Sequence, residues 1–371
     1  MEEVKENVAV ENVAPYPADE EGVQKGDVVK VVPEPDRAKT GGITGSTLKI
    51  IAIITMFIDH VGAALFEHYL YKFLEPLGAD YCEAAVKAKL PWLWFNWMGD
   101  PAAVQNIDMT LRMIGRIAFP IFCFLLVEGF LHTRNLKKYM IRLGIFALVS
   151  DVPFDLAFFG EIGLGHQNVF FTLLLGVMAL ACIDYIKHKD KDTFNGFFKF
   201  LGKIAVIIAG VLGAVGAVTS MLIIPGYLLY MAFEIDEVIP TLILGYILGT
   251  VIYLVVSSKW DMEKKTRVGS GLFATLFFFC LAELLNTDYA GWGVLAIVAI
   301  YVFRNAKSNG FVWGMIALTI KSIGEGVAFL DLIPLKFYNG KRGLKMKYFF
   351  YAFYPVHLFL LFLVRYYIFG I

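Results

Sequence analysis

Asp59 and His60 lie side by side near the end of a long apolar stretch, LKIIAIITMFIDHVGAALF (48–66). A charged side chain at the centre of a bilayer costs at least about 2.5 kcal/mol, so polar residues in such a stretch are candidates for function. A histidine can accept and return a proton near neutral pH, and a nearby carboxylate can orient it. Consecutive helix residues point about 100° apart, so each residue requires a partner on another helix. The pattern leaves a catalytic pair and a pair that only fixes helix packing equally open.

A second group of charged residues occupies LRMIGRIAFPIFCFLLVEGFLHTRN (111–135). Arg112 and Arg116 share one helical face at a spacing of four, and Glu128 and His132 do the same at the other end. Pro120 between them predicts a kink. For Glu128, a role in a reaction path and a buried ion pair that only stabilises the fold are equal alternatives.

Further candidates come from three later stretches. Asp151 and Asp155 lie four residues apart in SDVPFDLAFF (150–159), where they form either a carboxylate pair for acid–base chemistry or, as the favoured interpretation, ion pairs with Arg112 or Arg116. Asp288 and Tyr289 lie in a predicted turn. The stretch 337–361 contains Asn339, the basic residue Arg342 and its neighbours, and His357 within an apolar helix. Basic residues there could bind phosphates or lipid headgroups, and His357 alone resembles a structural core histidine.

Membrane-spanning helices must position these residues. The chain has 371 residues, of which 58% are hydrophobic and 18% are charged, whereas soluble proteins have roughly 45–50% apolar and about 25% charged residues. Ten apolar runs between residues 48 and 369 are long enough to cross a bilayer, and the run 205–233 is either one kinked span or two. The sequence therefore predicts an all-α polytopic integral membrane protein with about 10–11 transmembrane helices.

Two regions and the basic loops give the expected organisation. Residues 1–46 are acidic and proline-rich and predict a disordered cytoplasmic tail, followed by a transmembrane domain over 47–371. The basic loops 132–142 and 187–192 place the N-terminus in the cytoplasm of a multi-pass cell-membrane protein. If 205–233 is one span, which is the favoured interpretation because it satisfies more of the basic loops, the basic loop 336–347 is expected on the opposite side, and if it is two, on the same side.

Composition also excludes several classes. The net charge is zero, which gives no support for a nucleic-acid partner. The four cysteines are scattered and no metal-ligand spacing is present, so no metal is expected. No phosphate-binding glycine loop or hydrolase motif occurs.

Five blocks in order resemble the TraX family: LKIIAIITMFIDHVGA, the region from RMIGRIAFPIFCFLLVEGFLHTRN to SDVPFDLAF, QNVFFTLLLG, DYAGWGVL and the region from FYNGKRG to YPVHL. That family contains the conjugal-transfer protein that acetylates the N-terminus of F-pilin, and it is similar to a wider set of multi-span acyltransferases. In these relatives a histidine of the first helix is thought to be catalytic, and His60 is the matching position. The acidic tail and the long 67–112 connection depart from the family pattern.

The resemblance implies transfer of an acetyl group from cytoplasmic acetyl-CoA to an acceptor hydroxyl or amine at the outer side of the membrane. His60 would act as general base or briefly carry the acetyl group, and Asp59 would orient it or support it electrostatically. The phosphates of acetyl-CoA would meet His132, Arg134, Asn135, Lys137, Lys138 and Arg342. The acceptor would be an envelope glycan or a pilin-type N-terminus. The residues expected to bind it are Arg116, Glu128, Asp151, Asp155, Asp288, Tyr289, Asn339 and His357.

Two other classes explain the same intramembrane polar residues. A proton-coupled secondary transporter or exporter would use them as a proton relay. A non-catalytic scaffold of a secretion complex would tolerate their exchange. The acceptor, the choice between O- and N-transfer, and homo-oligomerisation stay open at the level of sequence.

Overall fold

The computed structural model of the chain describes residues 41–70, 101–188, 257–304, 309–345 and 347–369. The predicted tail over 1–46 lies outside the described residues except for its last six, and so do most of the 67–112 connection and nearly all of 187–257. Within the described residues the chain is helical and contains no strand beyond two isolated bridges.

The helices are, in chain order, α1 (Gly45–Val61), which continues as a π-helix over Gly62–Glu67, α2 (Pro101–Gly115), α3 (Ala118–His132), α4 (Leu136–Phe158), α5 (Val169–His188), α6 (Met262–Leu284), α7 (Ala290–Val302), α8 (Gly310–Lys321), a 3-10 helix (Ile323–Asp331), α9 (Leu332–Lys336) and α10 (Lys347–Phe369).

Five of the described helical segments are long and apolar enough to cross a membrane: Gly45–Glu67, Ala102–His132, Val169–His188, Glu263–Leu284 and Tyr348–Tyr367. At 1.5 Å per residue, about 20 residues match the roughly 30 Å hydrocarbon core. The prediction of an all-α polytopic membrane protein is confirmed. The expected total of 10–11 spans includes segments outside the described residues.

Side-chain caps fix where several helices begin. Thr44 accepts a hydrogen bond from the backbone N–H of Thr47 at the start of α1, and Asn135 accepts one from Lys138 at the start of α4. These caps satisfy N–H groups that have no partner within the helix. Asn135 therefore also fixes the short connection that turns the chain from α3 into α4.

The predicted kink near Pro120 is present as a break between α2 and α3. The N–H groups of Arg116 and Ile117 bond to carbonyls three residues earlier, at 3.2 and 3.3 Å, and Pro120 lies in the first turn of α3, where a proline is tolerated. Because the proline cannot donate to the carbonyl four residues before it and its ring crowds that carbonyl, it favours a break or kink here. The break directs the side chain of Arg116 out of the regular helix.

In place of the predicted span 311–330, the structure has a shorter α-helix followed by a 3-10 helix. α8 has 12 residues and reaches about 18 Å, and Ser322 then adopts an extended conformation before the 3-10 helix. Ser322, Gly324 and Gly326 weaken the helix that the apolar pattern predicts. Glu325 in this segment pairs with Arg116 at 2.7 Å, which anchors the chain beside the α2–α3 break.

The structure shows at which end of the helix bundle the basic loop 336–347 lies. The carbonyls of Lys341 and Arg342 accept hydrogen bonds from Gly45 and Ser46 at 2.8 and 2.9 Å, so the loop packs against the first turn of α1. The expectation that holds when 205–233 is one span, a loop on the side opposite the N-terminus, is wrong. The loop lies at the end of the bundle where α1 begins, hereafter the Gly45 end.

The core lies among α3, α4, α5, α7, α8 and α10. Close helix contacts form where glycines face large residues: a Cβ at Gly176 would meet the side chain of Ile297, and one at Gly314 would meet Ile300. At the Gly45 end, Arg304 after α7 pairs with Glu128 of α3 at 2.9 Å. The packed helices hold α1, α3, α5 and α10 around the polar residues described next.

Candidate active site

His60 of α1 and His357 of α10 form a buried hydrogen-bonded pair. Their side chains are 7% and 3% exposed, and His60 Nδ1 lies 2.6 Å from His357 Nε2. The rings lie within 8° of a common plane with their centroids 4.9 Å apart. Because the two nitrogens are much closer than the ring centres, the rings meet edge to edge, which is the geometry of an N–H···N hydrogen bond.

The backbone of α10 determines which nitrogens carry protons. His357 Nδ1 lies 2.7 Å from the carbonyl oxygen of Phe353, which can only accept, so this nitrogen carries a proton. In neutral His357 the nitrogen Nε2 is then an acceptor, and His60 Nδ1 must donate to it. His60 is left with a lone pair on Nε2. In this arrangement His60 can act as a base that a second group, His357, orients.

Asp59 does not contact His60 and is held by another helix. Its Oδ2 accepts a hydrogen bond from Arg112 Nη1 at 2.6 Å, as an ion pair that is partly exposed on both sides. Gly115 of α2 makes room for the carboxylate, because a Cβ there would collide with the Asp59 side chain. The carboxylate is paired with Arg112 while His357 orients the histidine, so the orienting role expected for Asp59 is not seen, and electrostatic support of His60 by Asp59 stays a prediction.

A cavity of about 240 Å³ lies beside this pair and is called the His60 cavity. Five residues predicted from the sequence line it, together with Arg112 and aromatic residues: Asp59, His60, Arg116, Asp288 and Tyr289. The aromatic ring of Tyr289 stacks on Phe119 with centroids 3.7 Å apart. The structure therefore joins residues from the first, second and late stretches at one place.

Asp288 occupies the turn before α7, outside the membrane-spanning segments. Its backbone N–H donates to the carbonyl of Gln167 at 2.8 Å, and its carbonyl accepts from the Thr172 hydroxyl. Burial raises the pKa of the Asp288 carboxyl, and the nearby cation of Lys321 partly opposes this shift. Lys321 also lies 5.2 Å from the ring centre of Tyr289.

A larger cavity of about 840 Å³ opens at the Gly45 end and is called the donor cavity. Predicted residues of two loops line it: Glu128, His132, Arg134, Asn135, Lys138 and Arg342. His132 Nδ1 donates a hydrogen bond to the backbone carbonyl of Glu128 at 2.8 Å. The cavity thus combines an apolar interior with a basic rim.

Two basic residues of the donor cavity were not predicted. Lys49 and Arg142 line it, from the second turns of α1 and α4. Lys49 lies eleven residues before His60, which is three helical turns and places both on one face of α1. That spacing was readable in the sequence, but a lysine at the start of an apolar run is normally interpreted as a headgroup anchor.

The two cavities adjoin. Met56, Phe122, Val169 and Tyr354 line both of them, and Met56 precedes His60 by one turn of α1. These four residues are called the junction. Residues of α1, α3, α5 and α10 therefore separate the basic cavity at the Gly45 end from the cavity that His60 lines.

Four predicted residues are placed elsewhere. Asp151 accepts a hydrogen bond from the side-chain amide of Asn168 at 3.0 Å, and Asp155 accepts one from the backbone of Gly163 at 2.9 Å. The favoured ion pairs of these aspartates with Arg112 or Arg116 are not formed, because the arginines pair with Asp59 and Glu325.

Asn339 and Lys137 also lie away from the cavities. The Asn339 side chain bonds to the carbonyl of Gly41 at 3.3 Å and accepts from the N–H of Lys341, which stabilises its turn. Lys137 is exposed and lines neither cavity. Glu128 lines the donor cavity and pairs with Arg304, and a role for it in the reaction stays a prediction. Among the described residues, no group of three His, Cys, Asp or Glu is placed to hold a metal ion.

Comparison with known proteins decides the family. The model of the family described as TraX protein matches residues 44–236 and 212–365. The chain belongs to the TraX family. A similar curated protein is the probable fimbrial assembly protein FimC, serogroup H1, of Dichelobacter nodosus, which is 28% identical over 266 residues, covering 68% of this chain and 81% of the relative. No solved structure matches this TraX-family chain. His60, His357 and most of both cavities lie within the matched regions.

Proposed function

We propose that this protein is an integral-membrane acyltransferase that moves an acetyl group from acetyl-CoA to an acceptor hydroxyl or amine. The observation that carries the proposal is the acceptor nitrogen Nε2 of His60, which the bond to His357 fixes beside a cavity that adjoins a basic cavity. A secondary transporter needs no such fixed tautomer. Acyl transfer requires a base at the point where donor and acceptor meet.

The residues of the donor cavity fit coenzyme A. A cavity of about 840 Å³ lies within the roughly 300–1,000 Å³ range of cofactor sites. Lys138 and Arg342 at the rim can bind phosphates by charge-assisted hydrogen bonds, and His132 and Arg134 add to the basic set. The apolar wall toward the junction suits the pantetheine arm. We expect the Gly45 end to face the cytoplasm, where acetyl-CoA is present.

The chemistry assigned to His60 is proton transfer at Nε2. Acetyl-CoA supplies an activated acetyl group as a thioester. His60 Nε2 takes the proton from the acceptor as it attacks the acetyl carbon and returns this proton to the leaving thiolate, so the imidazole is unchanged at the end. His357 stabilises the imidazolium through the Nδ1–H bond. General base catalysis of this kind contributes about 10²–10⁴-fold.

The acceptor is proposed to be a surface polymer of the envelope. The name of the Dichelobacter relative refers to fimbrial assembly, and by analogy a pilin-type N-terminus is the first candidate here. An envelope glycan hydroxyl is the second. Both would approach the His60 cavity from the end opposite Gly45, near the turn of Asp288 and Tyr289.

Labelled acetyl-CoA tests the proposal. Membranes that contain the protein are incubated with acetyl-CoA labelled in the acetyl group, together with envelope membranes from a strain that lacks it. We expect label in a protein or glycan fraction, and a mass increase of one acetyl group on the acceptor. Flux of a solute driven by a proton gradient, with no label transferred, would instead support a transporter.

A further inference from the structure

Tyr354 of α10 carries a buried hydroxyl that the described contacts leave unused. Its side chain is 3% exposed and belongs to the junction that lines both cavities. Its oxygen is approached by the backbone N–H of Val169, and its proton has no acceptor within the described part of the chain. Buried hydroxyl groups nearly always donate as well as accept, so a proton without an acceptor requires an explanation. A donor that lies beside two joined cavities points to an atom of a bound ligand.

The position of Tyr354 relative to the base supports a role in the reaction. The rings of His60 and Tyr354 meet edge to face with their centroids 5.7 Å apart. A reacting group in the junction can therefore lie beside both side chains at once. A site within reach of both a base and a hydrogen-bond donor is what attack on a carbonyl requires.

The start of α5 adds to this environment. Val169, the first residue of α5, is also part of the junction. Backbone N–H groups in the first turn of a helix lack partners within it and favour negative charge nearby. In this turn Asn168 Oδ1 accepts the N–H of Phe170 at 3.0 Å. The backbone N–H of Val169 approaches the Tyr354 oxygen, so the N-terminus of this 20-residue helix and the Tyr354 hydroxyl lie at the same small volume.

We infer that Tyr354 is a catalytic residue that donates a hydrogen bond to the carbonyl oxygen of the acetyl thioester. This inference rests on the proposed acyl transfer. As the acceptor atom bonds to the acetyl carbon, the carbonyl electron pair moves onto oxygen, and His60 takes the acceptor's proton. The Tyr354 hydroxyl stabilises the oxyanion. The pair then re-forms the carbonyl, the carbon–sulfur bond breaks, and the thiolate leaves with the proton from His60.

The variant Tyr354→Phe tests the inference, because it removes only the hydroxyl and keeps the ring in place. Rates are measured with purified protein in lipid nanodiscs, acetyl-CoA as donor and envelope membranes from a strain lacking the protein as acceptor. We expect kcat to fall by about 10²-fold, the effect of removing one oxyanion donor, with little change in KM for acetyl-CoA. Since the lost hydroxyl donates to no atom of the described chain and keeps only one backbone contact, to Val169, the midpoint of thermal unfolding should change little.

Tyr367→Phe is the matched control, because Tyr367 is on the same helix, is 80% exposed and lines neither described cavity. It should keep the full rate. If Tyr354→Phe transfers acetyl groups at the rate of the unmodified protein, the oxyanion role is wrong while the acyltransferase assignment stands. If the unmodified protein transfers no label under the same conditions, the proposed function itself fails.

Discussion

The hydrogen bond between His60 and His357 makes a sharp prediction for the variant His357→Phe. Phenylalanine keeps an aromatic ring at this position but accepts no hydrogen bond from His60 Nδ1. The tautomer with the lone pair on Nε2 then loses its partner in a site where both side chains are more than nine-tenths buried. The base beside the His60 cavity would be present but mostly in the wrong tautomer.

The magnitude follows from the cost of an unpaired buried donor. That cost is about 1–3 kcal/mol, and about 1.4 kcal/mol corresponds to a factor of ten. We therefore expect kcat to fall by about 5- to 150-fold, while KM for acetyl-CoA changes little because His357 does not line the donor cavity. His357→Gln retains an acceptor oxygen and should recover part of the lost rate.

The assay is the initial rate of acetyl transfer at varied acetyl-CoA concentration, with thermal unfolding recorded for each variant. His188→Phe is a suitable control, because His188 is exposed at the end of α5 and bonds only to the carbonyl and carboxylate of Asp184 among the described residues. An unchanged kcat for His357→Phe would refute the tautomer argument. Equal losses in both His357 variants, accompanied by lower unfolding temperatures, would reduce His357 to a packing residue.

Two further predictions concern the donor cavity and the α1–α2 contact. Lys138→Ala should raise KM for acetyl-CoA by about 10- to 100-fold with little change in kcat, since a charged hydrogen bond contributes about 1.5–3 kcal/mol. The control variant Lys137→Ala, at the neighbouring exposed lysine, should leave KM unchanged. Equal effects of the two substitutions on KM would contradict the placement of the cavity. Gly115→Ala should lower the unfolding temperature and the activity, because its Cβ would collide with Asp59. A Cβ at Gly271 would meet no atom within 4 Å, so Gly271→Ala should be tolerated. Size-exclusion chromatography and thermal unfolding compare the two variants.

Several features of the site could be predicted from the sequence because each is recognisable from a few neighbouring residues. His60 and Arg116 stand out as polar residues within apolar runs, and the loop around Lys138 stands out by its charge. The Pro120 kink follows from one residue type. Each of these expectations depends only on neighbours in the chain, and the structure places His60, Arg116 and Lys138 in the linings of the two adjoining cavities.

The partners of these residues could not be read in the same way. His60 pairs with His357, which is 297 residues away, and Arg116 pairs with Glu325 rather than an aspartate of α4. Such pairings depend on which helices become neighbours, and hydropathy does not determine this. The side of the 336–347 loop was missed for a related reason: the apolar pattern of 311–330 does not reveal that Ser322 ends α8 halfway.

The most direct measurement of the central claim is acetyl transfer by a purified His60→Ala variant in nanodiscs. Release of coenzyme A and label in the envelope acceptor are followed together, and folding is checked by size-exclusion chromatography and thermal unfolding. His188→Ala serves as the control. We predict a folded His60→Ala protein whose transfer rate is reduced by about 10²–10⁴-fold or more, beside a fully active His188→Ala protein. A folded His60→Ala protein that transfers acetyl groups at the normal rate would contradict the account.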